Sequence, residues 1–338
     1  MIDRIKLPNE KTSVPTASVE AAPSRSARNP RFGANILPLA LITLAIFAFL
    51  ALTRDNFATA QNLNSILFAV SIEFLAIVGF TYLMVMREID LSVGSVFAMT
   101  GMLTGSLLVA GWGFWPAAAL ALGVAGLIGF MNGFLVVRFN INSLMLTIGT
   151  MLVVRGLANV LANALGGRTY PREFRSLART DVFDVRLSIV MMVVLVLAAW
   201  ALQRRAALYR KMCFIGENMR SATVHGINVG RIKIATFVVS AMTAGLGGIF
   251  TASRITSADV RMGLGLEFVM VTAAIIGGAS LYGGRGDLRG SALGLLLLAL
   301  VLNGMIMYDI EPVFQQFVIG FLLIATVTFD TLMNRRKG

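Results

Sequence analysis

Glu73, Asp90, Ser92, Arg155 and Glu267 stand inside, or at the ends of, stretches otherwise built from Ala, Val, Leu, Ile, Phe and Gly. Ionisable groups in such surroundings are costly unless they meet another polar group or water. Each has two readings. It is a structural ion pair or hydrogen bond to a neighbouring helix, or it lines a polar path and contacts or gates a solute. Asp90 and Ser92 carry a further signal, because they belong to the run Arg87-Glu88-Ile89-Asp90-Leu91-Ser92-Val93-Gly94-Ser95. Either side chain suits the N-cap of a helix, and a carboxylate is favoured at the positive end of the helix dipole. A helix that starts inside a re-entrant turn has this composition.

A second run shares its character: Gly277-Gly278-Ala279-Ser280-Leu281-Tyr282-Gly283-Gly284-Arg285-Gly286-Asp287. Gly277, Gly278 and Gly284 let the backbone bend and approach a neighbour, and Asp287 can cap the helix that follows. Both halves of the chain thus carry a kinked, capped helix entry, a hint of internal duplication. The same glycines do not make a nucleotide loop. No strand precedes Gly284-Arg285-Gly286, the GxGxxG spacing fails, and G-x-x-x-x-G-K-[ST] occurs nowhere in the chain. No Ser/His, paired-carboxylate or metal-ligand set falls on adjacent turns, which argues against an enzyme or a metal centre. Cys213 is the one cysteine, so no internal disulfide can form. His225, the one histidine, reads as a surface residue, since one imidazole cannot build a metal site.

The longest polar interruption is the loop 204–233. Within it Asn218 can cap a short helix running through Ala222 to Val224, and Gly226 can end it before Ile227. A short helix lying across the end of a bundle suits docking into a groove on a partner.

The elements that must hold these groups are apolar. Of 338 residues 57% are hydrophobic and 14% charged, with a mean hydropathy of +0.79, too apolar for a soluble domain. The uncharged stretch 91–137 is long enough to cross a hydrocarbon core of roughly 30 Å twice, at about 20 residues per crossing. Gly111-Trp112-Gly113-Phe114-Trp115-Pro116 breaks it with the rings and turn formers expected at a lipid-water boundary. The pattern predicts an all-α integral membrane protein, a polytopic bundle of about ten transmembrane helices. They are expected at 36–52, 65–86, 93–110, 115–137, 143–165, 187–202, 234–252, 267–281, 290–307 and 312–329. Small residues such as Gly123, Gly126, Gly129 and Gly133, and Gly245, Gly247 and Gly248, would let these helices pack closely or slide.

The net charge of +12 is divided among loops, which leaves no continuous groove for nucleic acid. Its basic clusters before Phe32, in 204–233 and at Arg335-Arg336-Lys337 place both termini on the cytoplasmic side. The loop 166–186 departs from this bias, with Arg168, Arg172, Arg175, Arg179 and Arg186 against Glu173, Asp181 and Asp184. The expected organisation is a disordered cytoplasmic tail over 1–33, a transmembrane domain over 34–332 with the cytoplasmic loop 204–233, and a basic cytoplasmic tail over 333–338.

Several runs together resemble one family. They are Ile89-Asp90-Leu91-Ser92-Val93-Gly94-Ser95, Thr147-Ile148-Gly149-Thr150 with Arg155-Gly156, and Ile215-Gly216 with Asn218, Ala222, Gly226 and Ile227. Ile276-Gly277-Gly278-Ala279-Ser280-Leu281, Gly283-Gly284-Arg285-Gly286, Gly320 and Asp330 complete the set. The chain resembles, over about 36–330, the membrane permeases of ribose-type ATP-binding cassette importers, in the branched-chain amino acid/ribose permease superfamily. These move monosaccharides and, in relatives, autoinducer-2. The resemblance implies a permease subunit in the bacterial inner membrane, embedded in lipid, that binds no cofactor itself. It implies a second permease subunit, identical or paralogous, a periplasmic sugar-binding protein, and a cassette ATPase that uses the ATP. The loop around Ala222, with Gly216, Asn218, Gly226 and Ile227, looks like the coupling helix that sits in a cleft of the ATPase. Two departures stand out. The Gly-Gly usual before Ile-Asp-Leu-Ser is Arg87-Glu88, and the approach to the loop reads Cys213-Phe214-Ile215-Gly216-Glu217-Asn218 in place of Tyr-Ala-Ile-Gly-Gly-Asn. The rival reading is a stand-alone secondary transporter or channel using Glu73, Arg155 or Glu267 for ion coupling.

Overall fold

The segment from Ala60 to Val85 is apolar on almost every face, which suits a helix enclosed by others. The computed structural model describes residues 36–335 apart from 178, 179, 183, 184, 206 and 256. In it this segment is helix α2 (Ala60–Val85), with 83% of its most apolar window buried. Against it lies α10 (Val229–Arg254), which also packs on α3 (Val93–Val109) and α4 (Phe114–Phe139). Around this centre α5 (Ser143–Leu165) packs on α3, and α7 (Leu187–Arg205) on α2. Helix α11 (Leu266–Ile276) packs on α12 (Leu288–Met307) and α13 (Val313–Arg335), while α1 (Ile36–Thr53) leans on α12. None of the corresponding window of α13 is buried, so it stands at the periphery. The expected tail 1–33 lies outside the described residues, as do Arg336 and Lys337.

Close packing is made by small residues. A Cβ on Gly248 of α10 would sit 1.9 Å from the Phe97 carbonyl oxygen of α3, and one on Gly290 of α12 would sit 1.9 Å from that of Gly277. Dispersion between backbones replaces the hydrophobic force that lipid does not supply. Among the glycines expected to pack, Gly129 and Gly133 meet α10, whereas a Cβ on Gly123 would meet nothing within 4 Å.

Seven helices, α1, α2, α4, α5, α10, α12 and α13, are long and apolar enough to cross a membrane. Shorter apolar helices occupy the remaining expected positions, at Val93–Val109, Leu187–Ala198 and Leu266–Ile276. The last ends well before the expected residue 281, because Gly277 closes it and Gly278 takes φ +92°. Helix α10 starts earlier than expected, because the Asn228 side chain accepts from Arg231 N at 3.1 Å and adds an N-terminal turn.

The helix ends collect into two layers. At one end lie the close of α2, the start of α5, α10 and α12, and the close of α13. At the other, Tyr308 after α12 donates to Thr53 at the close of α1, at 2.8 Å. There too the basic loop folds onto the bundle. Helix α6 (Arg172–Leu177) buries Phe174 against the Tyr170 ring at 5.5 Å, and a ribbon of β1 (Asp181–Val182) and β2 (Val185–Arg186) pairs Asp181 with Arg186. Their side chains form an ion pair at 3.4 Å. Arg179 and Asp184 lie outside the described residues.

Candidate functional site

At the first of these ends, α8 (Ala207–Glu217) leads into α9 (Met219–Val224). Asn218 caps α9 by accepting from Ser221 N at 2.9 Å. Gly226 ends it at φ +75°, with Ile227 N donating to Ala222 O at 3.1 Å and Gly226 N to Thr223 O at 3.0 Å, a Schellman closure. Ala222 is fully buried beneath this turn, and Met219, Thr223 and Val224 are exposed. The surface that α9 offers is therefore made by Val224 and its neighbours, while Ala222 holds the turn to the bundle.

Gly216 is the tightest joint behind α9. A Cβ there would lie 1.9 Å from Val85 O and 2.5 Å from Gly284 N, two atoms that are themselves hydrogen bonded at 2.8 Å. The turns after α2 and before α12 thus meet each other, and α8 closes over the junction. Tyr209 of α8 donates to the Gly286 carbonyl, and Thr81 donates to Ser291 at 3.0 Å across α2 and α12. Asp287 caps α12 by accepting from Arg289 N at 2.9 Å, and its carboxylate pairs with the Arg289 guanidinium at 2.7 Å. Asp330 of α13 accepts from Leu281 N at 3.1 Å. Gly284 takes φ +74°, and the preceding glycine, Gly283, packs on the Arg87 side chain. Burial raises the Cys213 thiol above its ordinary range, so the thiolate is disfavoured there.

The departure at Arg87-Glu88 has a structural counterpart. Arg87 takes φ +64°, a left-handed conformation that glycine adopts freely and that costs other residues about 1–3 kcal/mol. Glu88 forms a buried ion pair with Lys233, the fifth residue of α10.

From Glu88 the chain runs into a polar chain of contacts. Ile89 N donates to Ser143 Oγ at 3.2 Å and Leu91 N to Thr147 Oγ1 at 3.1 Å, which ties the turn to α5. Asp90 Oδ1 accepts from Ser92 N at 2.9 Å and Ser92 Oγ at 2.5 Å. Ser92 Oγ accepts from Asn132 Nδ2 at 3.1 Å, and Asn132 Oδ1 from Thr150 at 2.7 Å. The expected N-cap is corrected in detail. Ser92 occupies the cap position in helical conformation without a side-chain capping bond, and Asp90, two residues earlier, instead forms an Asx turn.

The remaining path candidates gather at a cavity of about 770 Å³ between α2, α11, α13 and the end of α10. Glu73 and Glu267 line it, and so does Arg254, which the sequence did not single out. Arg155 stands behind, its guanidinium donating to the carbonyls of Met262 at 2.6 Å and Gly263 at 3.0 Å. Gly94 links the two regions: a Cβ there would lie 2.2 Å from Glu267 Oε2, and Gly94 is two residues beyond Ser92. Glu73 and Glu267 are thus brought together, while Asp90 and Ser92 belong to the neighbouring network. Lys233, Asn132 and Arg254 escaped the sequence reading. Lys233 and Arg254 stand near the two ends of α10 and Asn132 within α4, polar residues beside apolar runs, and that was the available signal.

Residues 62–327 match the family described as branched-chain amino acid transport system / permease component. The D-allose transport system permease protein AlsC of Escherichia coli (strain K12) is 29% identical over 298 residues, covering 87% of this chain and 91% of that protein. The L-arabinose transport system permease protein AraH of the same strain is 30% identical over 298 residues, with the same coverage of 87% and 91%. The autoinducer 2 import system permease protein LsrC of Yersinia pestis (strain Pestoides F) is 30% identical over 304 residues, covering 90% and 85%. No solved structure matches. The chain belongs to this permease family.

Proposed function

From that membership we propose that the chain is the permease subunit of an ATP-driven importer that carries a monosaccharide or similar small polyol across the bacterial inner membrane. The observation that carries this reading is likeness over nearly the whole chain to permeases named for D-allose, L-arabinose and autoinducer 2, each covered over at least 85% of its length. The seven long helices and three shorter ones run in alternating directions between the two layers of helix ends, which supports ten crossings with both termini in the cytoplasm. The basic residues of the α8–α9 region favour that side.

In this reading α9 docks into a cleft of a cassette ATPase through its exposed Met219, Thr223 and Val224. ATP is bound and hydrolysed by that partner. A movement of α9 reaches the bundle through two joints. One is Gly216, seated on the junction of Val85 and Gly284, and the other is the Lys233–Glu88 pair at the start of α10. Both end on the turn that carries Asp90. Transport is then a shift between inward-open and outward-open bundles, driven by a partner that binds one state better. A second permease subunit completes the path, and a periplasmic binding protein delivers the sugar.

The test is uptake in liposomes by the chain assembled with a cassette ATPase and a sugar-binding protein encoded beside it. The expected result is uptake of a neutral monosaccharide that requires both ATP and the binding protein. Uptake by this chain alone, driven by a proton or sodium gradient, would overturn the reading in favour of a secondary transporter.

A further inference from the structure

The cavity holds a carboxylate and a guanidinium that attract each other without a direct bond. Glu73 lies near the middle of α2 and Arg254 ends α10, and both line the same wall space as Glu267. Among the described residues neither the Glu73 carboxylate nor the Arg254 guanidinium has a hydrogen-bond or ion-pair partner. Arg254 only approaches the Phe68 ring, 5.1 Å from its centroid. A carboxylate and a guanidinium that face one cavity without bonding each other present both an acceptor and a donor to whatever enters. Phe97 and Phe268 add aromatic surface to the same lining.

We propose that this cavity is a low-affinity binding site for one neutral monosaccharide within the permease itself, contacted by Glu73, Glu267 and Arg254. The inference rests on the importer reading above and assigns it a site. Its volume of about 770 Å³ lies within the roughly 300–1,000 Å³ typical of small-molecule sites. Sugar hydroxyls donate to carboxylates and accept from a guanidinium, so a polyol satisfies both signs of charge at once. A lipid acyl chain would satisfy neither, at a cost of several kcal/mol per group. Within the lining an anionic sugar would meet two carboxylates against one guanidinium, with Arg155 standing behind Glu267 and outside the lining. The cavity is walled by the end of α10, the start of α11 and the first half of α13. It extends from the middle of α2, at Glu73, toward the layer opposite α9, the side from which a binding protein would hand over its sugar.

The experiment is saturation-transfer NMR on the whole transporter in lipid nanodiscs, with L-arabinose, D-allose and the anionic D-galacturonate as probes. The expected result is weak binding of a neutral sugar and none of D-galacturonate. Loss of one charge-assisted hydrogen bond in Glu73→Gln or Arg254→Gln should weaken binding at least about tenfold. Gly320→Phe supplies a variant that does not touch the charges. Gly320 lines the cavity, and a Cβ there meets nothing within 4 Å. The helix should accept the ring, which then removes volume and abolishes binding. Wild-type affinity in all three variants, binding of D-galacturonate as tight as that of the neutral sugars, or no binding of either neutral sugar would overturn the site. Liposome uptake separates the two claims: a transporter that carries sugar yet shows no cavity binding refutes the site and leaves the importer reading standing.

Discussion

Gly284 N donates to Val85 O at 2.8 Å, and this one bond joins the turn that follows α2 to the turn that precedes α12. Gly216 of α8 sits on the junction, so any movement of the α8–α9 region bears on both halves of the bundle at one point. The relationship requires a residue without a side chain at position 216.

Gly216→Ala should therefore unseat α8. Its Cβ would fall 1.9 Å from a backbone oxygen that cannot rotate away. Overpacking of this kind costs about 1–3 kcal/mol. Thermal unfolding of the purified protein should show the loss, and sugar-stimulated ATPase activity of the assembled transporter should fall further than its unstimulated rate. Wild-type values for both would mean that the joint is looser than described.

Val224 offers a cleaner probe of docking than Ala222. Val224 is 84% exposed and Ala222 is fully buried. Val224→Glu should change stability by no more than about 0.5 kcal/mol, as surface substitutions usually do, while co-purification of the ATPase subunit and uptake are lost. Ala222→Glu should instead destabilise α9 itself. Normal uptake by Val224→Glu would remove α9 from the ATPase interface.

Lys233→Met should be more damaging than the pair it breaks is stabilising. The side chains of Lys233 and Glu88 are 8% and 9% exposed, so truncating one strands a buried charge, at a cost of about 3–5 kcal/mol. The double variant Glu88→Gln with Lys233→Met should recover most of that loss in thermal unfolding. If the double variant is as unstable as the single one, burial of an unpaired carboxylate is not the cause.

Asp90→Ala should loosen the start of α3. It removes the acceptor for Ser92 N and Ser92 Oγ, and buried donors left without partners cost about 1–3 kcal/mol. Asp90→Asn keeps an acceptor oxygen and should fall between alanine and wild type. Hydrogen exchange at Ser92 and the residues that follow is the direct measurement, and unchanged protection in Asp90→Ala would refute the role.

Local features of this chain could be read from its sequence. Asn218, Gly226 and Asp287 act through backbone groups within a few residues of themselves, so composition and spacing suffice to assign the caps and the turn. Apolar run lengths likewise place the helices, with ends shifted where a cap or a positive-φ glycine decides them, as at Asn228 and Gly278. Helices α7 and α13 run on to Arg205 and Arg335, past the expected 202 and 329. The Ser92 cap failed for a related reason. The Ser92 hydroxyl is taken up instead by Asp90, two residues earlier, and by Asn132 of α4, and sequence offers both cap side chains without ranking them.

What the sequence alone determined is therefore a polar inventory on apolar helices, its family likeness, and a short capped helix in the loop 204–233. Tertiary structure alone decided which polar groups meet. Glu73 and Arg254 come to one cavity, Glu88 finds Lys233, and Ser92 reaches Thr150 through Asn132, because helices distant in the chain cross at glycines such as Gly248 and Gly290. Periodicity reports which face of a helix is apolar. It carries no information on which other helix will lie against that face, and pairing of buried charges depends on that alone.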